Sequence, residues 1–352
     1  MSQILGLGVT HYPGLYATDE DMANLLRRAL SGRNTPERAK DPLNWPGEMR
    51  EEWGKDGGAR AAHLHRERCF TAFGVVRDRL DRFQPDFVLI FGDDQYENFV
   101  EDIVPPFCLY ILDEIESRPF EKENNTAPEP ANIWKEGSGT VFRHSGHADG
   151  ARFIANRLCD EGTHLPYAYR LRHHKGLAHA FINTLMYLDA DRRGFDYPVV
   201  PLHVNCYGGS LVRSRGGRLP LSEIGREPDP PAPSAAACFD LGRAIGRVLA
   251  QSPWRVALIA SSSWSHAFLT RKNDWIYPDH ASDRARLEEL QEGRFACWRD
   301  LAREQLEDAG QHELLNWVAL AGAMAELGRK AQIIDYIETY VLNSNKCFAC
   351  WT

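Results

Sequence analysis

Short apolar runs alternate with longer amphipathic segments through most of the chain. The apolar runs are QILGLGVT, DFVLIFG, PFCLYIL, YPVVPLHVN and RVALIASSS, each bounded by Gly, Pro, Asp or Ser. Runs of this length and composition are typical of buried strands. Segments between them, such as AHLHRERCFTAFGVVRDRLDRF and AACFDLGRAIGRVLAQS, have the spacing of helices. The pattern predicts an α/β fold with a central mixed β-sheet flanked by helices.

The last quarter of the chain has a different pattern. After residue 280 the sequence is helical in character throughout, and we expect this helical C-terminal segment to pack onto the same domain. Residues 1–352 are therefore predicted to form a single domain. Two stretches rich in Gly, Pro and polar residues, 32–58 and 208–235, are predicted loop insertions, and loops of that length often act as lids or binding loops.

Charge and composition narrow the class of partner. The formal net charge of -8 disfavours nucleic acid and membrane surfaces as partners, because phosphate binding normally requires an excess of Lys and Arg. The N-terminus has no basic segment followed by a long apolar one. With eight cysteines too dilute for a disulfide framework, the sequence predicts a cytoplasmic protein that acts on a small molecule.

Polar side chains gather where the predicted strands end. His11 follows the first strand, Asp93, Asp94 and Gln95 follow the second, and His266 follows the fifth. In open α/β sheets, ligands bind in the crevice outside the carboxyl ends of the strands. We therefore expect these side chains to share one crevice.

A mononuclear non-haem iron site requires two neutral imidazoles and one carboxylate on one face. His11 is a natural first ligand. The carboxylate could come from Asp93, Asp94, Glu97 or Glu313, and spacing alone does not choose among them.

Five motifs, in order along nearly the whole chain, resemble the class III extradiol ring-cleavage dioxygenases of the protocatechuate 4,5-dioxygenase β-subunit type. VTHYPGL is similar to the first-strand motif with an iron-binding histidine, which implies that role for His11. HELLNWVALAGAM resembles the helix whose glutamate completes the iron triad, which implies Glu313. SSSWSHAFL resembles the strand end that carries the catalytic acid/base, which implies His266.

Two further motifs imply substrate contacts. HHKGLAHAF resembles the segment whose histidine lies near the substrate hydroxyls, and the match gives His174 as a second catalytic residue. NSNKCFACW is similar to the C-terminal Ser-Asn pair that meets the carboxylate of an aromatic acid, which implies Ser344 and Asn345.

The stretch FGDDQYENF departs from the family. The family has an Asp-His pair here, and its His is the second iron ligand; Asp94 and Phe99 fit that register, so Gln95 occupies the His position. Three interpretations are open. The Gln95 amide oxygen binds the metal, His63 or His65 supplies the second nitrogen, or no iron is bound.

The resemblance implies meta cleavage of a catechol-type substrate by dioxygen, with one Fe(II) per subunit. A homo-oligomer is the default expectation for an enzyme of this size, and some relatives have a small partner subunit that closes the pocket. The alternative hypothesis is a related scaffold with an altered or absent iron site that acts as a ligand-binding protein or as a non-oxidative metal-dependent hydrolase or lyase.

Overall fold

The computed structural model describes residues 3–33, 35–121, 131–208 and 230–352. Within these ranges, eight strands form the main sheet and two form a small hairpin. The sheet strands are β1 (Ile4–Val9), β2 (Phe87–Gly92), β3 (Phe107–Tyr110), β6 (Tyr167–Ala168), β7 (Val199–Val204), β8 (Val256–Ser261), β9 (Ala331–Ile337) and β10 (Lys346–Trp351). The hairpin strands are β4 (Glu114–Ser117) and β5 (Phe142–Ser145).

The sheet has the order β6-β3-β7-β2-β8-β1-β10-β9. The four central strands, β7, β2, β8 and β1, are parallel to one another. On either side of these four, β3 pairs antiparallel with β7, and β10 pairs antiparallel with β1. The mixed sheet that the sequence predicts is confirmed. Because the four central strands are parallel, their carboxyl ends lie along one edge, where the crevice forms.

Helices cover both faces of this sheet. The described helices are α1 (Asn24–Ser31), α2 (Glu37–Lys40), α3 (Gly47–Trp53), α4 (Ala59–Phe83), α5 (Ala148–Asp160), α6 (His179–Leu188), α7 (Ala235–Ala250), α8 (His280–Gln291), α9 (Arg303–Asp308) and α10 (Leu314–Glu326). Among the described residues, no helix combines the length and the apolar character needed to cross a bilayer.

Successive side chains of the buried strands point to opposite faces of the sheet and pack into two hydrophobic clusters, one on each face. Phe87, Leu89 and Phe91 of β2 pack with α5, α7 and α10, whereas Val88 and Ile90 pack with α4 and α6 on the opposite face. Both faces of the central strands are thus covered, which explains why their sequences are continuous apolar runs.

The C-terminal segment differs from the expectation. It packs onto the same domain, as predicted, but the expectation that it is helical throughout after residue 280 is wrong, because β9 and β10 lie within it. All six residues of β10 are buried between β1 and β9. The run KCFACW begins with a lysine, and a short run without alternation cannot be told from a buried helix segment by periodicity alone, so the sequence gives little signal for β10.

The two predicted insertions have different outcomes. The stretch 32–58 contains the short helices α2 and α3, so it is not a plain loop. Most of the stretch 208–235 lies outside the described residues.

A glycine at the contact of α7 with α10 gives a stability prediction. A Cβ at Gly242 would lie 1.8 Å from the Ala319 carbonyl oxygen, so neither backbone can accommodate it without moving. We expect Gly242→Ala to lower the free energy of unfolding by about 1–3 kcal/mol, as overpacking does. Urea denaturation measures this change.

Gly74 in the middle of α4 is the matched control. A Cβ there meets nothing within 4 Å. Gly74→Ala should therefore raise the free energy of unfolding by about 0.4–1 kcal/mol. Effects of the same sign at both positions would contradict the close approach of α7 and α10.

Candidate functional site

Several buried or half-buried polar side chains come together where the central parallel strands end, and this group of residues is called the crevice below. His11 lies two residues after β1 and Asp93 directly after β2, while Tyr207 and His266 follow β7 and β8. Glu313 immediately precedes α10 and His179 is the first residue of α6; they complete the set. His11, Asp93 and His266 lie close to one another, as the positions of the strand ends predict; their contacts follow.

The start of α10 is attached to the end of β8 by hydrogen bonds. The Ser262 hydroxyl donates to the Glu313 carbonyl oxygen at 2.8 Å. The Asn316 amide donates to the Ser261 carbonyl oxygen at 3.3 Å, and the Trp317 indole N–H donates to the Ser262 carbonyl oxygen at 3.0 Å. These bonds place Glu313 in the crevice.

The His11 imidazole is held by one nitrogen and directs the other at two carboxylates. Its Nδ1–H donates to the Ser261 carbonyl oxygen at 2.9 Å, which leaves the lone pair on Nε2. Nε2 lies 3.3 Å from Glu313 Oε2 and 3.9 Å from Asp93 Oδ1. Burial lowers the pKa of His11 to about 4, despite the nearby charge of Glu313, so the ring is neutral at pH 7.

Glu313 uses one carboxylate oxygen for hydrogen bonding and leaves the other without a donor. Oε1 accepts from the Tyr207 hydroxyl and from Gln95 Nε2 at 3.2 Å. Burial, followed by the charge of Glu313, raises the pKa of Tyr207, so the phenol remains a proton donor. Oε2 is buried without a hydrogen-bond donor and lies between His11 Nε2 and His266 Nε2, the latter at 3.4 Å.

Gln95 presents its amide nitrogen to this site. Gln95 Nε2 lies 2.5 Å from the Tyr207 hydroxyl oxygen and also donates to Glu313. The Glu313 carboxylate can only accept, so the hydrogen-bond network requires the amide N–H on that side. The amide nitrogen of Gln95 therefore faces Glu313 in this structure.

The two alternative nitrogen donors from α4 lie elsewhere. His63 is on the surface, 3.3 Å from an Asp19 carboxylate oxygen. His65 is buried, and its Nε2 has no hydrogen-bond partner among the described residues. The cluster of possible metal ligands around His11 in the described structure contains neither of them.

His266 has the geometry of a base. Its Nδ1–H donates to the Trp264 carbonyl oxygen at 2.9 Å, so Nε2 carries the lone pair that faces Glu313. Burial lowers the pKa of His266 to about 3, which keeps the ring uncharged. A neutral imidazole fixed in one tautomer is able to accept a proton at Nε2.

The other sequence-predicted residues are less closely associated with this group. His174 is half-buried, with Nδ1 at 3.3 Å from the Gly176 carbonyl oxygen. Ser344 forms an isolated β-bridge with His266, and its hydroxyl is buried without a hydrogen-bond partner. The Asn345 amide is already engaged, because Nδ2 donates to Asp283 at 2.8 Å and Oδ1 accepts from the Thr339 N–H at 3.0 Å.

Sequence reasoning missed His179. Both Glu97 carboxylate oxygens contact this residue, one accepting from its backbone N–H at 2.9 Å and the other lying 3.0 Å from Nδ1. The His179 ring stands edge-on to the His11 ring, with centroids 5.0 Å apart. The available signal was a histidine at the start of a helix that follows the HHKG segment; only folding shows that the helix start faces His11.

The acidic residues after β2 make two kinds of contact: Asp94 and Glu97 stabilise a turn, and Asp93 lies beside His11. Asp94 closes the turn by accepting from the backbone N–H groups of Glu97 and Asn98 at 2.8 and 2.9 Å. Glu97 takes part in the turn by accepting from the Gln95 N–H, and it also contacts His179. Asp93 instead faces the crevice, with Oδ2 buried and without a hydrogen-bond donor.

These donors fit a divalent cation. Two buried carboxylate oxygens, Glu313 Oε2 and Asp93 Oδ2, lack donors, and the uncharged His11 nitrogen directs a lone pair toward both carboxylates. Without a proton between them, a lone pair and an anionic oxygen at 3.3 Å repel each other. A cation bound there would remove that repulsion and satisfy the buried oxygens.

Comparison with known proteins shows which family the chain resembles. The model described as the catalytic LigB subunit of aromatic ring-opening dioxygenase matches residues 229–343, which include His266 and Glu313. A 2,3-dihydroxyphenylpropionate/2,3-dihydroxicinnamic acid 1,2-dioxygenase of Paraburkholderia phymatum is 28% identical over 286 residues, covering 74% of this chain and 82% of that protein. The protein of the same name from Burkholderia vietnamiensis is 26% identical over 285 residues, with the same two coverages. These matches confirm the resemblance to the class III extradiol dioxygenases.

The charge states of the site histidines can be tested in the metal-free protein. Burial opposes protonation of His179, but the charges of Glu97, Asp93 and Glu313 outweigh it and raise its pKa to about 10. At pH 7 we therefore expect a charged His179 ring beside neutral His11 and His266 rings. Long-range ¹H–¹⁵N correlation spectra distinguish these forms.

Glu97→Gln provides the discriminating variant. Since Glu97 is the main group that raises the pKa of His179, its neutralisation should lower that pKa and leave the two other rings neutral. A His179 ring that titrates near pH 6.5 in the unaltered protein would contradict the assignment.

Proposed function

We propose, on the premise that this chain is related to the class III extradiol dioxygenases, that it cleaves a catechol-type aromatic ring with dioxygen at a non-haem Fe(II). Relatives named as 2,3-dihydroxyphenylpropionate/2,3-dihydroxicinnamic acid 1,2-dioxygenases support ring cleavage in general. The observation that carries the proposal is the buried Glu313 Oε2, which lacks a donor and lies between the Nε2 atoms of His11 and His266.

In this proposal His11 and Glu313 hold the metal, one ion per subunit. Their outer contacts keep the two donor atoms in place: the Ser261 carbonyl oxygen fixes the His11 tautomer, and Tyr207 with Gln95 fixes the Glu313 carboxylate. Bound Fe(II) would supply the place where the two ring oxygens and dioxygen bind side by side and exchange electrons.

His266 moves the protons. Its Nε2 accepts a proton from a substrate hydroxyl, and the same nitrogen returns a proton when the ring opens. The Trp264 carbonyl oxygen, which accepts from Nδ1, stabilises the imidazolium formed in between. Burial keeps the resting ring uncharged, so the Nε2 lone pair is available, but the lowered pKa makes His266 a weaker base than a free imidazole.

A substituent on the ring is met by Ser344 in this proposal. Its hydroxyl is buried without a partner, and its backbone pairs with that of His266, so a group held by Ser344 lies next to the proton-transfer residue. The Asn345 amide keeps the same loop in shape through Asp283 and Thr339. The half-buried His174 would reach the substrate hydroxyls from the segment before α6.

One feature favours a second candidate. Gln95 turns a nitrogen toward the site where the family has a metal-binding histidine. A site with fewer nitrogen donors suits hard divalent metals and non-oxidative hydrolysis or lyase chemistry. Dependence on dioxygen separates the two reactions.

The reaction is tested by dioxygen uptake. Protein loaded anaerobically with Fe(II) should consume dioxygen with a catechol and form a yellow ring-opened product. We expect His266→Ala to lower kcat by about 10²–10⁴-fold through the loss of proton transfer, with iron content unchanged.

His173→Gln is the matched control, because this histidine pairs with Asp102 near the surface. Its kcat should equal that of the unaltered protein. Full iron occupancy without dioxygen uptake on any catechol, with turnover of a non-oxidative substrate, would contradict ring cleavage.

The role of Ser344 is tested by comparing two substrates. Loss of a hydrogen bond to a charged group costs about 1.5–3 kcal/mol, so Ser344→Ala should raise KM about 10- to 100-fold for a catechol that bears a carboxylate. KM for unsubstituted catechol should not change. An equal rise for both substrates would show that Ser344 supports the site without contacting the substituent.

A further inference from the structure

We propose that His179, and not Gln95, is the second nitrogen ligand of the metal, with Asp93 as an additional oxygen ligand. This inference rests on the proposed function only in assuming that a divalent metal binds beside His11. His11, Asp93 and His179 each offer one ligand atom, and these three atoms all lie within 4.8 Å of one another. Two imidazoles and one carboxylate are the donor set of non-haem iron sites.

The contact with Glu97 selects which nitrogen of His179 is available. Nδ1 lies 3.0 Å from Glu97 Oε2, so Nε2 is the nitrogen left to bind a metal. The backbone N–H of the same residue donates to the other Glu97 oxygen at 2.9 Å. Two bonds from one carboxylate fix the ring, as an outer carboxylate does for metal-binding histidines.

The other two ligands are held in the same manner. The Ser261 carbonyl oxygen accepts from Nδ1 of His11 at 2.9 Å. The Asn316 amide donates to Asp93 Oδ1 at 3.2 Å, which leaves Oδ2 buried without a donor. Each of the three side chains thus has one atom fixed by an outer partner and one atom without such a bond, which is the arrangement expected of a preorganised metal site.

Gln95 acquires a different role in this arrangement. Its amide nitrogen donates to Glu313 Oε1 and contacts the Tyr207 hydroxyl, so it positions a carboxylate that is itself beside His11. In this proposal, the histidine absent after β2 is replaced by His179 at the start of α6, whose ring centroid lies 5.0 Å from that of His11. The metal then meets two carboxylates, Asp93 and Glu313, where the family pattern implies one.

Metal binding itself tests the inference, without turnover. Metal-free protein is titrated with Co(II) under anaerobic conditions, and binding is followed by calorimetry and by the visible absorption of the bound ion. Loss of an outer partner weakens metal affinity by up to about 100-fold. Because His179 is proposed to bind the metal directly, we expect His179→Gly to weaken Co(II) binding by at least that factor. Asp93→Asn should also weaken binding, and Glu97→Gln should do so by about 10- to 100-fold.

Rescue by free imidazole separates a lost ligand from a damaged fold. Added imidazole should restore Co(II) binding to His179→Gly, because the deleted side chain leaves space for it next to the metal. Gln95→Ala should show no imidazole rescue, since in this proposal it is a positioning residue. X-ray absorption of the Co(II) protein should count two imidazoles, and one in His179→Gly without added imidazole.

His173→Gly serves as the matched control for loss of a histidine and is expected to bind Co(II) as the unaltered protein does. Imidazole rescue of Gln95→Ala but not of His179→Gly would overturn the inference, as would Co(II) affinity unchanged in His179→Gly. Failure of the unaltered protein to bind Co(II), Fe(II) or Mn(II) would overturn both the inference and the proposed function. Metal binding through His179 without dioxygen uptake would overturn the reaction alone.

Discussion

The Glu313 carboxylate is the group around which the crevice is organised, since a buried anion is stable only when its oxygens have partners. The Tyr207 hydroxyl and the Gln95 amide satisfy one oxygen. The other lies against the Nε2 atoms of two uncharged imidazoles, an arrangement that repels unless a cation is shared. His11 and His266 therefore both direct an Nε2 lone pair toward Glu313 Oε2, which is the arrangement expected around a bound cation.

The end of β8 controls the tautomers of these two rings. The carbonyl oxygen of Ser261, the last residue of β8, accepts from His11, and the Trp264 carbonyl oxygen accepts from His266. The same strand end binds the start of α10 through Ser262 and Trp317. One strand terminus thus positions a proposed ligand, a proposed base and the helix that carries Glu313.

The antiparallel strand β10 begins directly after the turn that carries Ser344 and Asn345. Its first residue, Lys346, is fully buried, and burial lowers the pKa of its ammonium group to about 7. Lys346 Nζ donates to the carbonyl oxygens of Leu342 and Ser344 and lies 3.9 Å from the centre of the Tyr12 ring. These contacts hold the turn in which Ser344 pairs with His266, so the predicted substituent contact and the predicted base share a rigid support.

Hydrophobic patterning and motif order were sufficient to predict the class of fold and most of the residues of the crevice. Continuous apolar runs such as DFVLIFG identify β2 because a strand buried on both faces needs no polar residues, and parallel strands place the residues after them at one edge. That local rule was enough to bring His11 and Asp93 to one place, and motif order pointed to His266 and Glu313. Tertiary structure decided the rest. It placed β10 between β1 and β9, gave Gln95 a donor role by surrounding it with acceptors, and brought His179 at the start of α6 against His11. These outcomes depend on contacts between residues far apart in the chain, which neither hydrophobic periodicity nor motif spacing encodes.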